Sequence, residues 1–497
     1  MSIKPQYTSY RYTDEITVIK SQSQVECRLP GSEIGSILSV QTKAVTGECV
    51  CENGEVRYGG KLLLCVAYED GERKICRAER GVEFFHKAED GLVTPACFAK
   101  LALTPLSVSQ RREGSGLYIS AIVQADINVY GSKSVDYLEG GEGLVCKRKT
   151  QSVFKSLCIS GETEGEDEFE ADYIGDVLLY GEKVLTSKVK AENGQVSIEG
   201  EIALHVCALK GEGGVCSYER ILPFYMQIPS EEAANVLGAT ARVRLKNTKL
   251  TAGVDEEKDR SKWVYSYCLV ADCFLHFESG LEIVEDAFAP SCETACTVKK
   301  GEGRYLTKST VCTQRLRGEG VISPQIEGEY ALAAALMPKA ELSCKKLGAI
   351  TEVEGAITAD LLLFSTENGY RTAKLTMPVA LSIDISASEV CVEGLVSGLT
   401  VKRQGETAQV EATLKLCAHG YEVGAWAYVG EVIEGEKREE KTAAISIFLP
   451  KAGEDLWTVA KGLCRTPEEL QRTNPDLQFP VKEGERIFVY RQTQDNE

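Results

Sequence analysis

Histidine is scarce in this chain of 497 residues, which carries only four: His86, His205, His276 and His419. They lie far apart, and three sit in or beside apolar alternating runs, so each reads as a strand residue rather than a general base. No H-E-x-x-H or C-x2-C spacing occurs, which leaves no recognisable zinc site. There is no G-x4-G-K-[ST] loop for nucleotide phosphates and no G-x-S-x-G elbow for a serine nucleophile. Carboxylates are plentiful, but nothing selects a catalytic pair. Basic charge is short as well: 56 Lys and Arg stand against 74 Asp and Glu, a net charge of −18. That balance excludes an electrostatic footprint for DNA, RNA or anionic lipid. No apolar run approaches the length of a membrane span, and Met1–Tyr7 has no apolar secretory core. The expectation is a cytosolic, non-enzymatic chain with no cofactor, no metal, no nucleic-acid partner and no membrane insertion.

Cysteine, by contrast, is abundant at 19 residues. The number is odd, and members such as Cys65, Cys207, Cys268, Cys344 and Cys417 sit inside apolar runs. They read as small, reduced, buried hydrophobes, as suits a reducing compartment. Cys49-x-Cys51 and Cys292-x3-Cys296 are isolated pairs without nearby histidine, and two ligands do not close a zinc site.

Residues 1–440 repeat internally. Glu52-Asn-Gly-Glu-Val56 reappears as Glu192-Asn-Gly-Gln-Val196, each followed by a glycine, Gly60 or Gly200, and then an apolar run. A third copy runs from Val353-Glu-Gly355 to Phe364. The three glycines are spaced by 140 and 155 residues, which is domain-sized and too long for a solenoid repeat. After each comes a Gly-containing polar turn and a second apolar run around Phe84, Phe224 or Val379, which is a hairpin pattern. Ile119, Ala121, Val123, Ala125, Ile127 and Val129 alternate along one strand face, and 263–277 and 410–421 are similar. Helix signals are poor except at Ser230–Gly238. The pattern predicts a mainly β chain of three sandwich-like domains. Composition places an N-terminal segment at 1–20, β-domains at 21–160, 171–298 and 304–433, and a small domain at 443–491. Three charged stretches lie between the repeats and the small module and read as solvated linkers or edge strands: Gly161–Glu170, Lys299–Gly303 and Glu434–Lys441.

The last 55 residues have a different pattern. Ile445–Leu449 suits a short strand. Asp455 is placed to cap a helix carrying Leu456, Val459, Ala460 and Leu463 on one face. Thr466-Pro467 opens a second helix, with Glu469 placed for a capping box, and Asn474-Pro475 ends it. Ile487–Val489 closes with a strand. This strand–helix–helix–strand order, with Gly453-Glu-Asp-Leu-Trp457, Ala460-Lys461, Glu469-Leu470, Asn474-Pro475, Gly484 and Ile487, resembles the LysM domain. The sequence departs from that family at Pro450 and Glu454, beside the loop LysM domains use for glycan. The candidate partner-binding residues are Gly453, Glu454, Asp455, Leu456, Trp457, Asn474, Pro475 and Asp476. Trp457 has two readings, a helix-packing residue or part of an exposed binding face.

Three β-repeats followed by such a module resemble the SPOCS-domain spore-coat proteins of the SipL type. The resemblance implies an α+β LysM domain behind three SPOCS domains, in the mother-cell cytosol at the forespore surface. It implies a scaffold that docks the coat-morphogenetic ATPase, stage IV sporulation protein A, and other coat proteins. Two alternatives stay open: a LysM protein binding peptidoglycan or N-acetylglucosamine, and a self-assembling structural β-protein.

Overall fold

The computed structural model describes residues 2–30, 34–113, 116–172, 174–210, 214–255, 260–438 and 445–490. Period-two alternation of apolar residues forms strands throughout the first 437 residues, in three successive groups of six. The first group is β1 (Lys4–Pro30), β2 (Ile37–Glu52), β3 (Glu55–Glu69), β4 (Ile75–Glu89), β5 (Phe98–Glu113) and β6 (Gly116–Glu142). The second is β7 (Val145–Asp172), β8 (Ile174–Glu192), β9 (Gln195–Lys210), β10 (Val215–Pro229), β11 (Gly238–Asp255) and β12 (Arg260–Phe288). The third is β13 (Cys292–Ser323), β14 (Ala331–Leu347), β15 (Ile350–Ser365), β16 (Gly369–Ile383), β17 (Glu389–Gln404) and β18 (Thr407–Lys437).

All three groups share one topology. The first strand pairs antiparallel with the sixth, the sixth with the fifth, and the second, third and fourth make a meander. The two sheets face each other over an apolar core. In the first unit Val25, Leu62, Leu64, Val66, Ile119, Ala121 and Val123 meet there. In the second unit Ile202, Leu204, Phe224, Trp263, Tyr265 and Leu269 do the same. In the third, a short pairing of Val321–Ser323 with Lys374–Thr376 joins the sheets into one of six strands.

The repeated sequence marks have structural causes. Asn193 and Gly194, with φ of 54° and 76°, form the two-residue turn between β8 and β9, a conformation Asn-Gly adopts at low cost. Gly60, Gly200 and Gly355 mark where the preceding strand crosses closely. A Cβ at Gly60 would lie 2.8 Å from the Val45 carbonyl oxygen, and one at Gly200 would lie 2.5 Å from that of Leu185. At Gly355 the Glu341 carbonyl oxygen blocks the same space.

The first and sixth strands of each unit are the longest, and they overrun the sandwich as a two-stranded ribbon. The three ribbons pack together. Ile3 and Leu138 of the first unit meet Val284, Ala287 and Ala289 of the second and Val429 and Val432 of the third. Tyr12, Val153, Ile283, Trp426 and Tyr428 form a second layer. Tyr12 and Trp426 stand edge to face at 5.7 Å, and Phe154 stacks on Tyr305 at 4.1 Å. Away from the ribbons, Ala67, Cys207 and Leu362, which keep the same offsets as the repeated glycines, are buried in one further cluster. The three units therefore form one body with pseudo-threefold arrangement. Buried charge stitches it: Lys43 reaches Glu182 at 3.2 Å, and Lys100 reaches Asp272 at 2.9 Å.

Several expectations are corrected. Residues 4–20 are the first part of β1, paired with β6, and Tyr10 and Tyr12 among them pack in the hub where the three ribbons meet, so they are no separate segment. Of the two readings of Gly161–Glu170 the edge strand holds and the linker does not: it lies within β7, at the edge of its sheet, and the boundary expected at 160/171 falls inside that strand. Three of its acidic side chains are paired: Glu162 with Lys246 and Glu168 with Lys262 within the sheet, and Asp167 with Arg220 of β10 in the facing sheet. Phe169 tucks beside Trp263. Composition could not separate linker from edge strand because the strand's exposed face is acidic and its pairing partner is distant in sequence. Lys299–Gly303 likewise lies within β13, and the edge at 298/304 falls inside that strand. Of Glu434–Lys441, residues 434–437 end β18, and 439–441 lie outside the described residues. The helix expected at Ser230–Gly238 is a single 3-10 turn, Glu231–Ala233, followed by Asn235 at φ 58°.

Gly200→Ala is expected to lower unfolding free energy by about 1–3 kcal/mol through overpacking, measured by urea denaturation against the unaltered chain.

Candidate functional site

The C-terminal module comprises β19 (Ile445–Phe448), α1 (Leu456–Leu463), α2 (Pro467–Thr473) and β20 (Ile487–Tyr490), with β19 and β20 antiparallel. Asp455 caps α1, accepting from the Thr458 N–H at 2.8 Å. The Thr458 hydroxyl and N–H hold the Asp455 carboxyl below its usual range. Cys464, at φ 56°, closes the helix in the left-handed conformation. Thr466 caps α2, accepting from the Glu469 N–H at 3.1 Å, with Pro467 at the first turn. Val459, Ala460, Leu470, Val481 and Ile487 form the module's own core.

The sequence-nominated residues separate by role. Gly453, at φ 90°, donates to the Val481 carbonyl at 2.8 Å, and Val481 donates to the Glu454 carbonyl at 3.0 Å, so this loop is tied to the chain before β20. Leu456 packs on the module core. Asn474 is buried, and its amide is spent internally. It donates to the carbonyls of Leu470 at 3.0 Å and Phe488 at 2.9 Å, and accepts from the Phe488 N–H at 2.7 Å. It clamps α2 to β20, leaving Pro475 and Asp476 exposed beside it. Trp457 points at the second β unit. Its Nε1 donates to the Asp286 carboxylate at 2.8 Å, and its ring meets Phe288 edge to face at 5.2 Å. Lys461, one turn along α1, places Nζ 2.7 and 2.8 Å from the two Asp286 oxygens.

Sequence reasoning missed two features. The first is Asp286 and Phe288 as a seat for the module. A register shift between Val284 and Asp286 re-aims this part of β12, and no spacing rule links it to residues so far along the chain. The second is an apolar outer face on the small sheet. Ile445 lies opposite Tyr490 and Ile447 opposite Phe488, and all four are exposed, as is Leu449. The alternation at 445–449 was readable; which face would be left uncovered was not.

Elsewhere, a groove of about 570 Å³ on the first unit is lined by Val50, Tyr58, Phe85 and His86. A cavity of about 380 Å³ between the second and third units is lined by His205, Glu219, Met337 and Leu399. His276 is buried, with Nδ1 3.0 Å from the Ser156 hydroxyl, and burial together with the Arg304 charge pushes it down to about 4. Burial alone lowers His205 to about 4. Among the described residues, no group of three His, Cys, Asp or Glu side chains is arranged to hold a metal ion. No helix among them is long and apolar enough to cross a membrane. No protein-family model, curated protein or solved structure matches the chain.

His276 is neutral when folded and takes up a proton in the unfolded chain below 6.5, so its burial destabilises the fold as pH falls from 6.5 towards 4. The loss by pH 4.5 is roughly 2–3 kcal/mol. Burial pulls the Asp272 carboxyl up, but hydrogen bonds from Ser160, Lys100 and Arg244 hold it below its usual range. Its contribution is thus intact through this window and is lost only at lower pH. Urea melts at pH 6.5, 5.5 and 4.5 are expected to show a shallower decline for His276→Gln than for the unaltered chain.

Proposed function

We propose that this chain is a non-enzymatic scaffold of spore-coat assembly, with three SPOCS-type β-domains and a C-terminal LysM-type module. It acts in the mother-cell cytosol at the forespore surface. The module docks the coat-morphogenetic ATPase, a stage IV sporulation protein A-like partner, and the β body carries other coat proteins.

The observation that carries this reading is the uncovered apolar sheet of the module. Ile445, Ile447, Leu449, Phe488 and Tyr490 place five large apolar side chains on a unit of 46 described residues. A sugar site works through polar groups with a few aromatic platforms, whereas an exposed aliphatic–aromatic patch is the surface of a protein–protein contact. The rigid body behind it supports the scaffold half of the reading. Its three units are bound into one piece, which suits a part that transmits position rather than one that opens around a substrate.

The test is recovery of the purified ATPase by the full chain and by the chain lacking residues 443–497. Loss of recovery on deletion is the expected result, and equal recovery from both rejects the proposal. Chito-oligosaccharide titrated to millimolar concentration is expected to leave the module unchanged; saturable binding would restore the glycan reading.

A further inference from the structure

The module is not loosely attached. Four side chains, from two parts of the chain far apart in sequence, converge on one contact. Asp286 lies at the register shift near the end of β12, and only two residues on, Phe288 is fully buried. Trp457 and Lys461 project from the same face of α1, four residues apart, which is the spacing at which helical side chains stand side by side. The Asp286 carboxylate accepts from both of them and also from its neighbour's Ala287 N–H at 2.9 Å. Hydrogen bonds to a charged, part-buried carboxylate are the stronger kind. The indole edge on Phe288 adds an apolar contact beside the charge.

Two weaker contacts flank this centre. Lys147 of β7 lies 3.9 Å from Asp455 at the start of α1. Arg438, directly after β18, donates to the Cys292 carbonyl at 3.1 Å and also contacts the Cys464 sulfur at the end of α1. Both ends of α1 are therefore held to the hub, where the second unit passes into the third. The helix faces the body, and the apolar sheet of β19 and β20 remains exposed.

We infer that Asp286 is a positioning residue for partner binding: with Phe288 it clamps Trp457 and Lys461, and so fixes the module to the hub with its apolar sheet outward. Trp457 is then an anchor to the body, and the protein partner docks on the other side of the module with the clamp closed. The orientation part of this inference rests on the proposed function; the clamp does not.

Hydrogen exchange of the full chain tests it. Asp286→Ala is expected to speed exchange at residues 456–463 by about tenfold or more, given the strength of charge-assisted bonds, while β9 amides stay protected. In a double-mutant cycle, Lys461→Met is expected to add little to the loss of protection already caused by Asp286→Ala, because both remove the same Lys461–Asp286 bond. A purely packing role for Asp286 would give additive losses. Adding the purified ATPase to the unaltered chain is expected to leave residues 456–463 protected. Unchanged exchange in Asp286→Ala, additive losses in the double-mutant cycle, or deprotection of α1 on adding the ATPase would each overturn the inference. Failure of the scaffold reading looks different: the ATPase is then recovered equally without residues 443–497, whatever the clamp does.

Discussion

In each six-stranded unit the first strand pairs with the last along its whole length, and that pair is longer than the sandwich it belongs to. Lys4 lies opposite Glu142, Val145 opposite Phe288, and Cys292 opposite Lys437. A two-stranded ribbon alone cannot bury its apolar face, and is at best marginal in water. Three such ribbons can bury their faces in one another, and the hub of Tyr12, Val153, Ile283, Trp426 and Tyr428 is that solution. The pseudo-threefold body, the short connections between units and the placing of the C-terminal module at the hub all follow from this need.

The module depends on the hub in turn. Its own core is small: five buried side chains and a ring of half-buried ones. The caps at Asp455 and Thr466 and the Asn474 clamp do much of the work of defining it. Seating α1 against Phe288 extends that small core into a larger one. Among the described residues the face away from the body has no such cover, and the apolar side chains of Ile445, Ile447, Phe488 and Tyr490 lie exposed there.

Much of this was legible from local pattern. The alternation at Ile119–Val129, the Asn-Gly turns, the repeated glycines and both helix caps are short-range signals with short-range causes. What was hidden is pairing between distant segments. The acidic stretch at 161–170 has a linker's composition, and only its partner strand at 262–271 makes it sheet. Residues 4–20 look unattached until β6 is placed beside them. Among the candidate site residues, Asp455 read correctly as a cap because capping is local. The partners of Trp457 could not be read, because they lie in another unit at a break in strand register. Asn474 showed its helix-ending role but not its bonds to β20.

The closure of every unit by its own two chain ends also orders events in time. A ribosome delivers Lys4 long before Glu142, so no unit can complete its sheet until almost all of it has been made. Such long-range pairings are slow to form. The hub needs all three ribbons, so it waits for β18, the last long strand. During synthesis the earlier ribbons present uncovered apolar edges, the condition under which nascent chains associate wrongly. A chain truncated before residue 407 would lack β18 and leave them exposed for good.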